Sequence, residues 1–458
     1  MPAWIPGSYM IRDYARNVVA IRAESDGLDV PLTKLDKSSW HAAPVQKPLT
    51  LVAEIYAYDL SVRGAHLDET HAYFNGPCVF FAVSGQDDRP CELEILLPPG
   101  DTGRDWRVAT SMRRKDALPY GFGTFGAGDY AELIDHPVEI GNLTIGEFEV
   151  AGIPHAIAIR GKTRVDMGRL CHDLRTLCER HVALLGVPDG FDRYLFLVHA
   201  PGSGYGGLEH RWSSSLVCAR ESLPARGDDT VGDAYRTFLG LASHEYFHSW
   251  NVRRMKPAVF TPYDLSAESY TELLWVFEGV TSYYDDLALV RSGLIDEKSY
   301  LELLGRTITR VLRGGGRLRQ SVAESSFDAW TKFYKQDANA PNAIVSYYAK
   351  GSLIALTLDL KLRSETEGRV SLDDVMKACW KRWGDSRQGM PEDGFEAVAA
   401  EVSGLDLGDF FDASVRGTGE LPLETLLATH GVDYKLRPAS GSGDKGGQKL
   451  EDPKQRSV

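Results

Sequence analysis

The segment His244-Glu245-Tyr246-Phe247-His248 has the residue types and the spacing of a metal-dependent hydrolase. On a helix, side chains four residues apart lie one above the other, so the imidazoles of His244 and His248 can bind one metal ion. Glu245 lies about 100° further round the helix, where it can act as a general base on a water molecule at the metal. The apolar residues before His244 predict a buried helix, and metal binding explains why such a helix carries two His and a Glu.

A catalytic zinc ion takes three protein ligands and keeps one position open. Glu278 is the predicted third ligand, because it stands in an apolar run where an unpaired carboxylate is costly. The rival candidate is Glu272, which lies beside Thr271 in a solvated first turn. Asp285 follows Glu278 by two helical turns and is predicted to accept a hydrogen bond from a metal-binding His. The alternative is that Asp285 and Asp286 form a solvated acidic pair.

The elements that must position these residues change in type along the chain. Residues 1–160 are predicted to be β-rich, because their apolar segments are short, partly alternating and bounded by Pro, Gly and Asp. A helix is predicted over residues 165–185, a strand over 194–198 and a Gly-rich hairpin over 202–207. After about residue 230 the pattern predicts almost all helix, with helix starts at Ser371-Leu372-Asp373-Asp374 and Pro391-Glu392-Asp393.

These patterns predict an α+β protein with several domains. A β-rich N-terminal domain covers 1–160, a catalytic domain 161–300 and an α-helical domain that completes the active site 301–436. Residues 437–458, rich in Gly, Ser, Lys and Asp, have too little apolar surface to fold and are predicted to be a disordered tail.

Composition excludes several classes of function. The 458 residues include 51 Lys and Arg and 64 Asp and Glu, a net charge of −13, which argues against a nucleic-acid partner. No stretch approaches the ~20 apolar residues of a membrane span, and the first residues lack the regions of a signal peptide. The six cysteines are scattered and without metal-ligand spacing, which is typical of reduced thiols. The sequence therefore predicts a cytoplasmic location with no membrane partner.

Further segments along the chain resemble one known family. The chain is similar to the glycyl aminopeptidases, a family of gluzincin metallopeptidases whose members usually carry a C-terminal PDZ domain. The resemblance covers most of the chain. It is carried by the segments Trp4-Ile5-Pro6-Gly7-Ser8-Tyr9, Arg12-Asp13-Tyr14, 135–141, 207–210, 244–251, 275–286 and 347–351.

The resemblance implies a thermolysin-like catalytic domain and one Zn²⁺ per chain. The segment from Gly206 and Gly207 to His210 is similar to the exopeptidase motif of the aminopeptidase N clan, whose Glu holds the free α-amino group of the substrate. Glu209 is the matching residue. Tyr348, in Tyr-x-Lys-Gly, matches the tyrosine of that clan that donates a hydrogen bond to the developing oxyanion. Tyr347 is the second candidate for that role.

The chain also departs from its relatives. Between His248 and Glu278 lie 29 residues, more than in aminopeptidase N relatives, so an inserted loop at about 256–266 is predicted to rim the site. The chain begins inside the Trp-x-Pro-Gly-Ser-Tyr motif, which predicts that the first strands of the N-terminal domain are missing. After Leu436 the sequence runs into the low-complexity tail where relatives continue into PDZ.

The predicted function is a zinc aminopeptidase that acts on peptides with a free amino terminus. On the resemblance alone, a small first residue, Gly or Ala, is favoured. One alternative is an endopeptidase with the same zinc site, in which Glu209 is structural. Another is an inactive scaffold or binding protein, although the complete set of His244, Glu245, His248 and Glu278 argues against it.

Overall fold

The computed structural model describes residues 1–384, 388–441 and 443–447. The chain divides into two compact units, each assembled from separate segments. Unit 1 contains residues 1–175, 190–230 and 263–269, and unit 2 contains 176–189, 231–262 and the residues from 270 onward. The predicted division into domains at residues 160 and 300 stays a prediction.

Unit 1 is rich in β-structure, which confirms the predicted character of the N-terminal region. Its strands form one five-stranded sheet, one of four strands, two of three and one of two. The strands are β1 Val18–Ser25, β2 Leu28–Val30, β3 Leu32–Lys34, β4 Trp40–Ala42, β5 Thr50–Ile55, β6 Ala65–Leu67, β7 His71–Phe74, β8 Cys91–Ile95, β9 Arg107–Ala109, β10 Arg113–Arg114, β11 Gly123–Ala127, β12 Val138–Gly141, β13 Leu143–Val150, β14 Ile153–Arg160, β15 Tyr194–His199, β16 Tyr205–Glu209 and β17 Ser213–Cys218.

The five-stranded sheet, in the order β13-β14-β15-β17-β16, is the largest element of unit 1. Strands β14, β15 and β17 run parallel, whereas β13 and β16 are antiparallel at the two edges. Two adjacent parallel strands need a crossover connection between them. Helix α2 (Met167–Leu185) lies between β14 and β15 in the chain and forms part of that connection. Every residue of β15 is buried, as expected for the centre of such a sheet. The edge strand β16 ends at Glu209.

Besides a cluster around Ile5, Tyr14 and Leu208, two clusters of buried side chains form the core of unit 1. One packs the five-stranded sheet through Ala109, Leu143, Ala158, Leu195 and Leu197. The other lies around β11 and β12 and the short helix α1 (Tyr130–Ile134), with Phe125, Tyr130 and Val138 among its members. Burial of these side chains is the main force that holds the short strands together, because apolar area removed from water stabilises by about 25 cal/mol per Å².

Unit 2 is helical. Its α-helices are α3 Asp233–Phe247, α4 Val280–Arg291, α5 Glu297–Arg313, α6 Val322–Phe327, α7 Ala340–Ala343, α8 Ala349–Glu365, α9 Leu372–Trp383, α10 Gly394–Ser403, α11 Gly408–Phe411 and α12 Leu423–Thr429. The described residues of unit 2 also contain two five-residue π-helical turns, Trp275–Gly279 and Asp412–Arg416, and short 3₁₀ turns.

The expectation of almost all helix after about residue 230 is wrong for residues 248–273, of which 256–266 was separately predicted as an inserted loop. This stretch contains turns and a single 3₁₀ helix, Ala258–Phe260. Pro257 and Pro262 lack the backbone N–H that a helix interior needs. Backbone hydrogen bonds within the turns form instead. For example, the N–H of Arg253 donates to the carbonyl of His248 at 3.0 Å. Both predicted later helix starts are confirmed, since α9 begins after a capping box formed by Ser371 and α10 begins after Pro391-Glu392-Asp393.

After Leu436 the structure describes only two short segments of the chain. Residues 437–441 and 443–447 contain neither helix nor strand. Residue 442 and residues 448–458 lie outside the described residues, so the disordered tail stays a prediction there. Among the helices of the described residues, none combines the length and the apolar character that a membrane crossing requires.

Candidate active site

Helix α3 carries the paired histidines at its C-terminal end. The helix ends at Phe247, so His248 follows it directly, but the N–H of His248 still donates to the carbonyl of His244 at 3.2 Å. The helical spacing therefore continues through His248. The two imidazole rings lie 4.6 Å apart between centroids and are nearly perpendicular. This arrangement lets both rings direct a nitrogen to one point.

Glu278 lies beside these nitrogens on the π-helical turn Trp275–Gly279. Its Oε2 is 3.5 Å from Nε2 of His244 and 3.3 Å from Nε2 of His248. A tetrahedral ion with bonds of about 2.0–2.2 Å would hold its ligand atoms about 3.3–3.6 Å apart. The spacing of the three donors therefore fits a bound metal ion. Single π-helical turns inside helices are frequent at functional sites, where they re-aim one side chain.

Two hydrogen bonds fix the orientation of the imidazoles. Nδ1 of His248 donates to the backbone carbonyl of Asn251 at 2.7 Å, and Nδ1 of His244 faces Oδ2 of Asp285 at 3.0 Å. A carbonyl oxygen can only accept, so Nδ1 of His248 carries a proton, and Nε2 is the ring atom that offers a lone pair when the imidazole is neutral. A metal-binding His usually donates the N–H of its other ring nitrogen to a carboxylate or a carbonyl, and Asp285 supplies such a carboxylate to His244. Both Nε2 atoms are thus directed toward Glu278.

Burial and close contact together shift the pKa values of Glu278 and His244. Burial alone would raise the pKa of Glu278, but the adjacent His248 and His244 outweigh it and lower the pKa to about 2. Burial also opposes protonation of His244, yet Asp285 and Glu278 raise its pKa well above the usual value. Each partner favours the charge of the other, as expected when opposite charges share a dry site. The carboxylate of Glu278 is therefore ionised and available to a cation.

Asn251 is a residue of the site that the sequence reasoning missed. Its Nδ2 donates to the carbonyl of Val276 at 2.9 Å and to Oγ1 of Thr281 at 3.1 Å. Its own carbonyl holds His248. Asn251 therefore ties the segment after α3 to the π-helical turn that carries Glu278. Its position three residues after the second His was a signal that could have found it.

The other two acidic candidates, Glu245 and Glu272, differ in burial and in their distance from the histidines. Glu245 is buried, and one of its carboxylate oxygens lies within 4.8 Å of a ring nitrogen of His248. Glu272, the rival ligand, is exposed, and its backbone N–H donates to Glu392 at 3.0 Å. Among the described residues, the donor group built around His244 and His248 includes Glu278 and not Glu272.

A cluster of aromatic rings lies beside the paired histidines. The ring of Tyr348 is 6.2 Å from that of His244 and 4.7 Å from that of Tyr347. Phe333 contacts both tyrosines, at 5.6 Å and 4.7 Å between centroids. The hydroxyl of Tyr334 is 3.3 Å from that of Tyr348, a contact that sequence reasoning missed because Tyr334 lies in a 3₁₀ turn with no pattern of its own.

Two glycines allow the tyrosines to approach Glu278. A Cβ added to Gly279 would lie 2.7 Å from both the Cα of Gly351 and the carbonyl oxygen of Tyr347. A Cβ added to Gly351 would lie 3.0 Å from the Cα of Gly279. The backbone of α8 therefore touches the π-helical turn directly, with no side chain between them. This contact gives a physical reason for the Gly in the segment Tyr-x-Lys-Gly.

Unit 1 holds the predicted substrate-binding strand. Glu209, at the end of β16, is 3% exposed, and its Oε1 has no hydrogen-bond partner within the part of the chain that the structure describes. Gly206 and Gly207 precede it on the same strand, and the carbonyl of Gly207 accepts a hydrogen bond from Arg63 at 3.2 Å. A Cβ on Gly7 would lie only 2.4 Å from Oε1 of Glu209. The backbone of Gly7 therefore forms one wall around this carboxylate.

A second group of possible ligands, His66, Asp68 and His71, also lies in unit 1. The two imidazoles are stacked at 4.5 Å, so their in-plane lone pairs do not converge. A guanidinium nitrogen of Arg160 is 2.8 Å from Nδ1 of His71. Since an arginine remains charged, this position repels a cation. The group is therefore a poor metal site.

Comparisons with known proteins agree with this geometry. A family model of the M61 N-terminal domain matches residues 1–142, and one of the M61 glycyl aminopeptidase matches residues 237–354. A crystal structure of an aminopeptidase N family protein from Idiomarina loihiensis is 45% identical, with a TM-score of 0.96. The alignment covers 99% of this chain and 77% of that chain. The chain belongs to the M61 glycyl aminopeptidase family.

More distant structures share the fold of this M61 protein. A mutant M1 zinc metallopeptidase from Deinococcus radiodurans, bound to a Tyr-Ser-Ala substrate, is 13% identical with a TM-score of 0.53; the alignment covers 89% of this chain and 87% of that one. No curated protein matches the chain. The α+β architecture is therefore that of the gluzincin peptidases, and the family together with the donor set supports a metallo-aminopeptidase.

Proposed function

We propose that this M61 protein is a zinc aminopeptidase that removes a small first residue, Gly or Ala, from peptides with a free amino terminus. The observation that carries the proposal is the donor set of His244, His248 and Glu278. Two imidazoles, which bind a metal in their neutral form, and one carboxylate suit zinc, with a fourth position left for water or substrate. We propose one Zn²⁺ per chain, because the separate donor group of His66, Asp68 and His71 is a poor metal site.

The proposal assigns one task to each chemical group of the site. When bound, zinc supplies a Lewis acid that polarises a carbonyl and acidifies water. Glu245 accepts the proton of the attacking water as general base and passes it to the leaving amine. Tyr348 donates a hydrogen bond to the carbonyl oxygen as negative charge develops there. Asp285 keeps the imidazole of His244 in the orientation that binding requires.

Glu209 is proposed to bind the α-ammonium group of the substrate. Its carboxylate is buried, and one oxygen has no partner among the described residues, so an ammonium group would complete its hydrogen bonding. An acetylated peptide lacks that charge and would leave the carboxylate unpaired. The preference for a free amino terminus rests on this residue, and the preference for Gly or Ala rests on the family. The six free cysteines support the further proposal of a cytoplasmic location.

The experiment uses the full chain loaded with zinc and peptides that begin with Gly, Ala or Leu, each with a free or an acetylated amino terminus. Cleavage of the free forms only, fastest for Gly or Ala, is the expected result. E245Q should lower kcat by about 100-fold or more, because proton transfer by a positioned base contributes 10²–10⁴. E272Q, a charge-matched change at an exposed site, should retain wild-type kcat.

Other outcomes would contradict the proposal in different ways. Equal cleavage of the acetylated peptides would make the protein an endopeptidase and remove Glu209 from the mechanism. Zinc binding without cleavage of any peptide would favour a scaffold. Wild-type turnover by E245Q would exclude the assigned general base.

A further inference from the structure

A cavity of about 300 Å³ lies in unit 2, between the C-terminal end of α5 and the chain that leads into α8. Arg310 and Arg313 of α5 and Arg317 of the following 3₁₀ turn line this arginine cavity. The rest of its lining comes mostly from residues 333–349 and is largely apolar, including Phe333, Pro341, Ile344 and Val345. Its volume is at the lower end of the range of small-molecule sites.

The backbone around the arginine cavity is held by close contacts. A Cβ added to Gly316 would lie 2.0 Å from the carbonyl oxygen of Ile344, so the 3₁₀ turn touches that backbone directly. The side chain of Gln320, which is 5% exposed, accepts a hydrogen bond from the N–H of Val345 at 3.0 Å. The hydroxyl of Ser325 donates to the carbonyl of Val345 at 2.5 Å. The fold therefore forms the cavity before any ligand binds.

The positive charge of the arginine cavity is poorly neutralised. Of its three arginines, only Arg317 forms an ion pair among the described residues, with Glu420 at 3.1 Å. Arg313 donates to the backbone carbonyl of Asp444, whose own carboxylate is paired with Arg437. None of the described residues that line the cavity is an Asp or a Glu. Two guanidinium groups are thus left to attract an anion.

Other positive groups add to this potential. Ser346 and Ala349 also line the cavity, so the N-terminal end of the 17-residue helix α8, with its partial positive charge, lies at its wall. Lys350, in the first turn of α8, is 3% exposed; burial lowers its pKa, while Glu420 raises it and Arg317 lowers it. Glu420 is therefore shared between two cations. In a chain with a net charge of −13, such a local excess of positive charge favours an anionic ligand.

One aromatic ring connects the arginine cavity with the candidate active site. Phe333 lines the cavity, and its ring contacts those of Tyr347 and Tyr348 at 4.7 Å and 5.6 Å between centroids. The ring of Tyr348 is 6.2 Å from that of His244. An extended peptide advances about 3.3 Å per residue, so a few residues after the cleaved bond are sufficient to pass one ring.

We propose that the arginine cavity binds a carboxylate of the substrate that lies downstream of the cleaved bond. The inference rests on the proposed function and deepens it, because it names short or acidic peptides as the preferred substrates. A guanidinium group matches a carboxylate with paired N–H donors. Two parts of a peptide supply that group: the C-terminal carboxylate of a short peptide and the side chain of an Asp or Glu.

The test uses the zinc-loaded full chain and peptides that differ only in one carboxylate. Gly-Ala-Ala and Gly-Ala-Ala-Ala are each compared as free acid and as C-terminal amide, and Gly-Ala-Glu-amide is compared with Gly-Ala-Gln-amide. We expect KM to be about 10-fold lower for the carboxylate member, with kcat within about 2-fold, because this contact is the same in the ground and transition states. A preference in the first comparison assigns the terminal carboxylate, and one in the second assigns the side chain.

The double variant R310Q/R313Q removes the two charges that have no ion pair. In this variant the ratio of KM for amide to KM for acid should fall from about 10 to less than about 2. Its Tm should equal that of the wild type, because both side chains are exposed. R319Q is the matched control: Arg319 is also exposed and follows the same 3₁₀ turn, but it does not line the cavity. It should keep the wild-type ratio.

Equal KM within every pair of peptides would overturn the inference, while cleavage of these peptides would leave the proposed function in place. A preference that persists in R310Q/R313Q, or that R319Q loses to the same extent, would also overturn it, since the cavity would not be the cause. If the wild type cleaves no peptide, the proposed function fails. Calorimetry with the same peptides then decides the inference: tighter binding of the acid by the wild type but not by R310Q/R313Q supports it, and equal binding of acid and amide overturns it.

Discussion

Substitution of Gly7 by alanine tests whether Glu209 binds the amino terminus without changing any charged residue. The new Cβ would lie 2.4 Å from Oε1, 2.5 Å from Oε2 and 2.7 Å from Cδ of Glu209. Because ordinary van der Waals contact begins at about 3.5 Å, the carboxylate must move by about 1 Å. A displacement of about 1 Å of a positioning group can cost 10²-fold in rate, or about 2.7 kcal/mol.

The backbone at Gly7 adds a second cost, which the experiment must separate from the first. Its φ of 90° is a conformation that disfavours residues with a side chain, by about 1–2 kcal/mol. Gly152 provides the control in the same unit, because its φ is 80° and an added Cβ would meet nothing within 4 Å. G152A therefore has the backbone cost without the displacement of a carboxylate.

The assay is kcat/KM for a Gly-initiated peptide with a free amino terminus, together with Tm for both variants. We expect G7A to lower kcat/KM by about 10–100-fold and G152A to leave it within about 2-fold of the wild type. Both variants should lose a few degrees in Tm. Equal kcat/KM for G7A, G152A and the wild type would refute the reasoning, since the carboxylate would have moved without consequence.

Three further predictions concern other parts of the molecule. D285N keeps an acceptor for Nδ1 of His244 but removes its charge, so zinc affinity, measured by competition with a chelator, should fall by about 10–100-fold with the fold intact. E139Q removes a carboxyl whose pKa burial raises to about 8. Between pH 4.3, about the ordinary pKa of a glutamate, and pH 8, Glu139 is ionised in the unfolded chain but protonated in the folded chain. The free energy of unfolding therefore decreases with rising pH in this range, by up to about 1.4 kcal/mol per pH unit. In E139Q the decrease of Tm from pH 5 to pH 8 should be smaller than in the wild type. G279A brings a Cβ to 2.7 Å from the backbone of α8, so Tm and kcat should fall together in thermal melts and peptide assays.

Each of these expectations has a result that contradicts it. Unchanged zinc affinity in D285N would show that the contact of Asp285 does not support the imidazole. Parallel pH profiles of Tm for E139Q and the wild type would show that Glu139 is ionised in the folded state. Full activity of G279A at wild-type Tm would show that α8 can move away from the π-helical turn at little cost.

The ligand candidates could be predicted from the sequence because their spacing is local. His244 and His248 lie one helical turn apart, and Glu278 is marked by its apolar surroundings, so short-range rules are sufficient to single them out. The helix Met167–Leu185 and the strand Tyr194–His199 were predicted within two residues for the same reason. In each case the sequence pattern and the local conformation both depend on residues that lie within a few positions of one another in the chain.

The features that sequence reasoning missed depend on residues distant in the chain. Asn251 acts through its contact with Val276, and Tyr334 through its contact with Tyr348, and neither contact leaves a periodic signal. Of the irregular stretch over residues 248–273, only the part at about 256–266 was predicted as a loop, and the remainder fell within the general expectation of helix after residue 230. Prolines and backbone hydrogen bonds within turns replace the helix there.

The direct contact of Gly279 with Gly351 has a mechanical consequence. Side chains between two helices can change rotamer and absorb small motions, whereas two touching backbones cannot. A shift of α8 is therefore transmitted to the π-helical turn without loss, and Glu278 and Tyr347 move as one body. We therefore expect the distance between them to vary less than it would if side chains separated the two backbones, although the two residues come from separate parts of the chain.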